Sequence, residues 1–562
     1  MRRYLYGYRI GEVDLPQLPD EYKPHVIAIH TPYDLTKRPI VGVSAGCHVE
    51  GVALPHPDPE CTHTMIGGVK KRMATKTPAL SRKHLRKLGR FVDKWLKRNL
   101  VPLSTDTDVS FETWLNAIDQ PQWRKDQLLK IYQQRGGKPK SKDFVVGGFM
   151  KDEHYVEYKH ARGIYARKDM FKCLSGPWFK VIEKELFKRP EFVKKIPVKD
   201  RAKYITEMLY QTDKKYIATD YSSFESHFVS EVMHACEFKL YKYMTQNIPG
   251  HKQFYSYLDD VLAGVNHIDF KNFLFKIRGC RMSGEMCTSL GNGFSNLMLM
   301  LYACKVSGAR NVNGVVEGDD GLFVFDGVPP TIGLFKEIGF TIKLEVYDNL
   351  SEASFCGLIF DQEDQHIIVE PLSKLVGFAY LPRRYSFSKR SKHLQLLKAK
   401  SLSFLFQYPG CPILRSLALY GLRMTVGYRP DFRIYDKYHL EHKTEMEEFV
   451  RSAGACEPIK MRTRLLMEKK FGITLEQQKR TEDYLDSLND VKELKMPWLI
   501  FHEHWTDYYV KYSFNMKPVP SIDKPPMLWL RPKRWEGNCV WDCRYFRWTN
   551  THQGSFLFDP KL

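Results

Sequence analysis

Two local patterns and the size of the chain predict an α+β fold. Between residues 144 and 375 short strand-like apolar runs alternate with longer helical patterns. Within that stretch NGVVEGDDGLFVFDG reads as strand, tight turn, strand, and beyond residue 375 the pattern is mostly helical. The chain has 562 residues, 43% of them hydrophobic, enough to bury a large core and to form several lobes.

Each region follows from its own signals. Residues 1–80 are rich in Pro, Gly and His with little periodicity, and read as an extended, loop-rich arm. From Leu80 to Asn99 the pattern turns helical and strongly basic, and a helical pair is expected over Phe111 to Gln134. GGKPKSKD then breaks the chain before the alternating region opens at Phe144. The expected organisation is an N-terminal extension over 1–143, an α+β core over 144–375, a helical region over 376–527 and a tail over 528–562. That tail, rich in Trp, Tyr and Pro, is expected to be irregular and packed on a neighbouring element.

Lys and Arg outnumber Asp and Glu by 86 to 65, a formal charge of +21. Such a surplus favours a polyanionic partner, because neutralised phosphates release condensed counterions. Nucleic acid is the leading class and an anionic membrane surface the second. The 12 Cys are scattered, which fits a reducing compartment better than a disulfide scaffold. MRRYLYGYRIGEVDLPQLPDEY lacks the apolar core of a secretory signal, and there is no apolar run of about 18 residues to span a bilayer. No GxxxxGK[ST] loop occurs, which argues against a fused helicase or ATPase.

Two acidic clusters carry the chemistry. In KKYIATDYSSFESHFVSEVMHACEFKL a short strand ends at Asp220, and a helix is expected to follow with Phe224, Phe228, Val232, Cys236 and Leu240 on one stripe. In the second, Gly318, Asp319, Asp320 and Gly321 form a hairpin tip. Adjacent carboxylates repel, and a cation relieves them. With Asp220 they suit two magnesium ions about 4 Å apart, the arrangement for in-line phosphoryl displacement. Between the clusters, RMSGEMCTSLGNGFSNLMLMLYACKVSG reads as a loop at Ser283-Gly284 entering a long helix, with Thr288 and Asn292 on one face. Gly291 and Gly293 cost helix stability, which implies close approach by another group. A Ser, Thr and Asn stripe beside an acidic centre suits reading of a ribose hydroxyl.

In this order the motifs resemble those of the RNA-dependent RNA polymerases of positive-strand RNA viruses, most closely the tombusvirus-like and noda-like group. The first palm motif, Asp then an acid five positions on, is similar to Asp220 and Glu225. SGxxxTxxxN is matched by Ser283, Gly284, Thr288 and Asn292, GDD by Gly318, Asp319 and Asp320, and a primer-grip hairpin by Phe355, Cys356 and Gly357. GGFMKDEHYVEYKHARGIYARKDMF resembles the basic finger motif, with Lys151, Glu153, Lys159, Arg162 and Arg167 in place. The resemblance covers residues 144–415 well and is faint in the first 100 residues and in the tail.

It implies a closed right hand of fingers, palm and thumb, with an antiparallel palm sheet and a mostly helical thumb. The N-terminal extension would contribute to the fingers. It also implies template-directed RNA synthesis from rNTPs. Asp220 and Asp319 would be ligands of two Mg²⁺ ions (Mn²⁺ as a substitute), with Asp320 supporting. Lys151, Lys159, Arg162 and Arg167 would neutralise the triphosphate. Lys343, or Lys336 as the alternate, would be the general acid for pyrophosphate. Arg383, Arg384, Lys389, Arg390, Lys392, Lys398 and Lys400 would meet template or product RNA. The implied setting is the host cytoplasm, in a membrane-associated complex with other viral replication proteins. The group usually has Asp where Glu225 stands, the residue implied to accept from the incoming ribose 2′-hydroxyl together with Asn292; the extra methylene predicts a ribose selection that is retained but loosened.

A reverse transcriptase shares the acidic palm but lacks the SGxxxTxxxN helix. A basic RNA-binding or capsid protein would explain the charge but not three ordered motifs. Cys47, His48, His56, Cys61 and His63 are of zinc-binding type, but their spacing matches no zinc pattern, so zinc is not expected. Aromatics from Trp529 to Phe558 are expected to pack on the thumb, with stacking of a priming base as the alternative.

Overall fold

A computed structural model describes residues 25–29, 41–50, 52, 54, 59–60, 62–75, 77–155, 159–271, 273–385, 387–434, 443–450, 458–501 and the strands 533–535, 538–542, 546–548 and 556–558. It begins with β1 (His25–Ile29), β2 (Val41–Ser44) and four helices, α1 (Thr62–Arg72), α2 (Arg82–Asn99), α3 (Phe111–Ala117) and α4 (Gln122–Arg135). The hairpin β3 (Val146–Met150) and β4 (Gly163–Arg167) precedes α5 (Asp169–Leu186) and α6 (Val198–Leu209). Next come β5 (Lys215–Tyr221), α7 (Ser230–Ala235), α8 (Glu237–Thr245), α9 (His251–Ser256), β6 (Val265–Asp269) and β7 (Phe273–Arg278). The 20-residue α10 (Thr288–Ser307) leads to β8 (Arg310–Glu317), β9 (Asp320–Asp326), α11 (Ile332–Ile338) and β10 (Ile342–Tyr347). A short pair, β11 (Ile359–Phe360) and β12 (Ile367–Ile368), is followed by α12 (Pro371–Phe378), β13 (Tyr380–Leu381), α13 (Arg390–Gln407) and α14 (Leu414–Met424). Further helices span Lys443–Val450, Met461–Phe471 and Leu475–Ser487.

The site is built on an antiparallel sheet of order β10-β5-β9-β8. Both of its faces are covered, which is why GLFVF runs apolar without alternation. Ile217, Val316, Phe323 and Phe325 pack with Leu290, Phe294, Leu297 and Met298 of α10 and with Val92, Trp95 and Leu96 of α2. Tyr216, Ala218, Val315, Leu322 and Val324 pack the other way, against Phe355, Leu375, Phe378, Leu396 and Leu414. A second, mixed sheet runs β1-β7-β6-β3-β4, with β3 and β6 its parallel pair.

The expected basic helix is α2. Ser81 caps it by accepting from the His84 amide, and Leu88, Val92, Trp95 and Leu96 are its buried stripe. The helix expected after Asp220 is instead broken. Residues Phe224–His227 form a 3-10 turn entered through Ser223 at φ 55°, and α7 and α8 are separated by a kink at Cys236, φ −124° and ψ −90°. The cause of the first break is tertiary: the amides of Arg281 and Cys280 donate to the carbonyls of Glu225 and Phe228, which a continuous helix would have used internally. Phe224, Phe228, Val232, Cys236 and Leu240 are still all buried, so the apolar stripe survives the break.

The ends differ from expectation as well. The arm over residues 1–80 contributes β1 to the mixed sheet through β7, β2 to a sheet with β13, and the helix α1. Where described, the aromatic tail is strand rather than irregular structure: Asn538–Asp542 pairs with β2, and Phe546–Trp548 with Phe556–Phe558. The rest of the tail lies outside the described residues.

Candidate active site

The sheet's register sets four charged residues in one row. Lys343 pairs with Asp220 across β10 and β5. Thr219 pairs with Gly321 across β5 and β9, so the next step along that ladder sets Asp220 opposite Asp320. Glu317 pairs with Asp320 across β8 and β9. Cross-strand partners share a face, so Lys343, Asp220, Asp320 and Glu317 lie side by side, on the face that carries Tyr216, Ala218 and Leu322. The two-residue turn Gly318-Asp319 closes the hairpin beside them. Gly318 takes φ 61°, the positive angle demanded at the first turn residue of a II′ hairpin. Asn296 of α10 fastens this turn, its Nδ2 donating to the carbonyls of Gly318 (3.3 Å) and Asp319 (2.9 Å).

Asp220 and Asp319 are exposed and Asp320 is half-buried, yet protein surrounds the hairpin tip. Burial, and then the Glu225 carboxylate, raise the pKa of Asp319 above the usual carboxylate range. Burial, then Asp319, Asp220 and Glu317, push Asp320 up to about 7. Glu317 is neutralised from the side by Arg201, 2.5 Å away. Among the described residues no three or more His, Cys, Asp or Glu side chains are already grouped as a metal cage.

Lys343 is exposed and ion-paired with Glu345. That hydrogen bond and charge, with a smaller contribution from Asp220, raise its pKa. The alternate, Lys336, sits exposed in the last turn of α11. Only Lys343 stands in register with the acidic row.

Around Asn292 the structure supplies what sequence reading missed. Arg281 is 2% exposed and pairs with Glu237, which is fully buried; it also donates from Nε to Asn292 Oδ1 (3.1 Å) and lies over the Phe228 ring. Gly291 makes room for this cluster, since a Cβ there would lie 2.1 Å from Glu237 Oε2 and 2.6 Å from the Tyr241 hydroxyl. Thr288 donates to the Met282 carbonyl (3.0 Å), and Ser283 Oγ donates to the Gly163 carbonyl (3.1 Å) and accepts from the Tyr165 amide (3.3 Å). Gly284 joins the same seam through its amide to the Tyr165 carbonyl (2.9 Å). The Ser283 loop is thus stitched to β4. The signal for Asn296 was present in the sequence, where it stands four residues beyond Asn292 on the same helix face.

The basic finger motif divides. Arg162 is exposed and forms a bidentate pair with Glu153 (2.7 and 3.0 Å), while Lys151 is half-buried and Lys159 exposed. Arg167 does not suit a triphosphate. It is 2% exposed, with bonds to Glu285 (2.5 Å), Asn266 (2.6 Å) and the Phe144 carbonyl (2.8 Å), because its strand faces the interior between the mixed sheet and the Ser283 loop.

The Phe355–Gly357 segment is a two-residue hairpin turn in which Cys356 and Gly357 both have positive φ, 54° and 72°. Phe355 is a core residue at 1% exposure, so it does not present itself to RNA. Cys356 is half-buried beside Glu317, 3.7 Å from its Oε2.

The basic cluster before and within α13 also divides. Lys400 is buried, donating to the carbonyls of Gly377 (2.6 Å) and Tyr380 (3.0 Å); the inner face of the helix leaves it no path to RNA. Arg390 reaches the Ala45 carbonyl (2.6 Å), Lys392 pairs with Asp431, and Lys398 donates to the Thr425 carbonyl (3.2 Å). Lys389 is exposed; Arg384 is exposed too, but pairs with Asp152 (3.5 Å) and donates to the Arg433 carbonyl (3.0 Å), and the Arg383 side chain lies outside the described residues. Of the zinc-type residues, Cys47 and His48 are buried, and His48 bonds Ser44 and Glu493, each at 3.1 Å. His56, Cys61 and the His63 side chain lie outside the described residues.

The comparison with protein families decides the class. Residues 197–412 match the model of the viral RNA-dependent RNA polymerase family. The chain carries a viral RNA-dependent RNA polymerase domain. The matched segment contains Asp220, Glu225, the Ser283–Asn292 motif, Asp319, Asp320 and the Phe355–Gly357 turn, while the basic stretch 151–167 precedes it. No curated protein matches the chain. The enzyme is an RNA-directed RNA polymerase, with RNA as template and nucleoside triphosphates as substrates. Among the described residues no helix of the polymerase is long and apolar enough to cross a membrane.

Proposed function

We propose that the polymerase joins ribonucleotides by a two-metal mechanism centred on Asp220, Asp319 and Asp320, with release of pyrophosphate. The observation that carries this reading is the row Asp220, Asp320, Glu317 closed by the Asp319 turn, where burial and the neighbouring carboxylates raise the pKa of Asp319 and Asp320. Such a donor set fits hard divalent cations, Mg²⁺ or Mn²⁺. Asp220 and Asp319 would hold them, with Asp320 in support. When bound, the two ions supply positive charge at the attacking 3′-hydroxyl and at the departing pyrophosphate.

The remaining roles belong to the chain's own groups. Lys343 keeps its proton at Nζ through Glu345 and stands across from Asp220, placed to give that proton to pyrophosphate. Arg162, Lys151 and Lys159 meet the triphosphate, which for Arg162 means exchanging Glu153 for phosphate. Glu225, Ser283, Thr288 and Asn292 line the ribose side, Asn292 being held by Arg281. Lys389, and Arg384 on exchanging Asp152 for phosphate, remain as contacts for RNA backbone. In this reading β10-β5-β9-β8 is the palm, the mixed sheet belongs to the fingers and the helices from α13 form the thumb. Association with other replication proteins and with membranes would run through surface contacts.

Purified polymerase given an RNA template, rNTPs and Mg²⁺ or Mn²⁺ should make template-length RNA, and Asp319→Ala should abolish it. RNA binding without synthesis, or equal synthesis by Asp319→Ala, would contradict the proposal. A preference for dNTPs would favour the reverse-transcriptase reading.

A further inference from the structure

We propose that Arg72, at the end of α1 and outside the matched domain, sets ribonucleotide selection by positioning Glu225. The proposal rests on the reading of Glu225 as acceptor for the ribose 2′-hydroxyl.

Arg72 Nη1 lies 3.8 Å from Glu225 Oε2, and both side chains are partly buried, at 31% and 22% exposure. Partial burial strengthens such a pair relative to one on the open surface. The two backbones are tied independently. Ser223 Oγ donates to the Lys71 carbonyl (3.1 Å), docking the end of α1 onto the loop that follows β5. The Glu225 carbonyl accepts from the Arg281 amide (3.0 Å). With both anchors in place, the guanidinium attracts the carboxylate and biases where it points: it lies on the Oε2 side and leaves Oε1 to accept from a sugar.

The pair also accounts for the residue type. Aspartate at 225 would end one carbon–carbon bond, about 1.5 Å, short of this reach. Glutamate is the acid that α1 can hold, so the longer side chain belongs to a two-part device. Asp319 lies within the field of both charges, with Glu225 raising its pKa and Arg72 opposing, which places the device at the catalytic carboxylates. The Tyr165 hydroxyl is buried within the same field and has no hydrogen-bond partner among the described residues.

Single-nucleotide incorporation by the full chain tests this, with kcat and KM measured for an rNTP and its 2′-deoxy analogue. The set is the wild type, Arg72→Gln, Arg72→Lys, Glu225→Gln and the Arg72→Gln/Glu225→Gln double variant. Arg72→Gln should lower the rNTP-to-dNTP ratio of kcat/KM about fivefold, the scale of one partly exposed ion pair. Arg72→Lys should retain part of that ratio, and the double variant should discriminate no worse than Glu225→Gln alone. A ratio taken within one enzyme is independent of the fraction folded. Equal losses for both nucleotides after Arg72→Gln would overturn the proposal in favour of a direct triphosphate contact. If Glu225→Gln lowers discrimination and Arg72→Gln does not, the role of Arg72 alone fails. If Glu225→Gln leaves discrimination intact, the reading of Glu225 fails and the proposal with it.

Discussion

Gly291→Ala should destabilise the polymerase, although the same change on an open helix face stabilises by roughly 1 kcal/mol. The new methyl would lie 2.1 Å from Glu237 Oε2, 2.6 Å from the Tyr241 hydroxyl and 2.7 Å from Arg281 Nη2. None of these can move aside cheaply, because Arg281 and Glu237 are a buried pair packed and bonded with Asn292, Tyr241 and Phe228. Opening a buried ion pair costs about 3–5 kcal/mol, so after the gain in helix propensity the net loss is about 2–4 kcal/mol. Urea unfolding followed by tryptophan fluorescence reads it, since Trp95 packs on Phe294 of the same helix with ring centroids 5.8 Å apart. The variant should also bind ribonucleotides more weakly, because Arg281 holds Asn292. A Gly291→Ala protein as stable as wild type would refute the placement of the pair against α10.

Two further outcomes follow from the charges. Lys343→Met should lower kcat about 10²- to 10⁴-fold, the usual worth of a positioned general acid, with Lys336→Met near wild type; the opposite ranking would move the acid to α11. Lys400 gives a pH signature: burial lowers its pKa from 10.5 to about 7 in the folded chain. Between those values the unfolded state binds more protons, so stability should rise with pH through that window, by at most about 1.4 kcal/mol per unit. The rise should be smaller in Lys400→Met; an unchanged pH profile would show that Lys400 does not titrate there.

The acidic motifs were legible because their chemistry is local. A strand ending in Asp220, a hairpin tip carrying Asp319 and Asp320, and a polar helix stripe are each written within a few residues. Gly291 was legible as a point of close approach, though not what approaches. The basic residues were legible only as charge. Arg162 and Arg167 look equivalent in a row of cations, and Lys389 and Lys400 look alike in another. One member of each pair is exposed and the other is buried against a carboxylate or backbone carbonyls.

The sequence by itself therefore determined the class of chemistry and singled out the carboxylates proposed to carry it, since residue type and short-range spacing express both. The tertiary structure decided which cations remain available. It also decided which distant groups lie against the candidate site: Arg72 beside Glu225, Asn296 under the hairpin turn and Arg281 against Asn292. The physical reason is burial. Whether a lysine or arginine meets solvent, a carboxylate or a carbonyl depends on what packs over it, and those neighbours come from segments tens to hundreds of residues away. Strand register is the intermediate case. The short apolar run placed Asp220 near the end of its strand, but only pairing with β9 and β10 set it between Asp320 and Lys343.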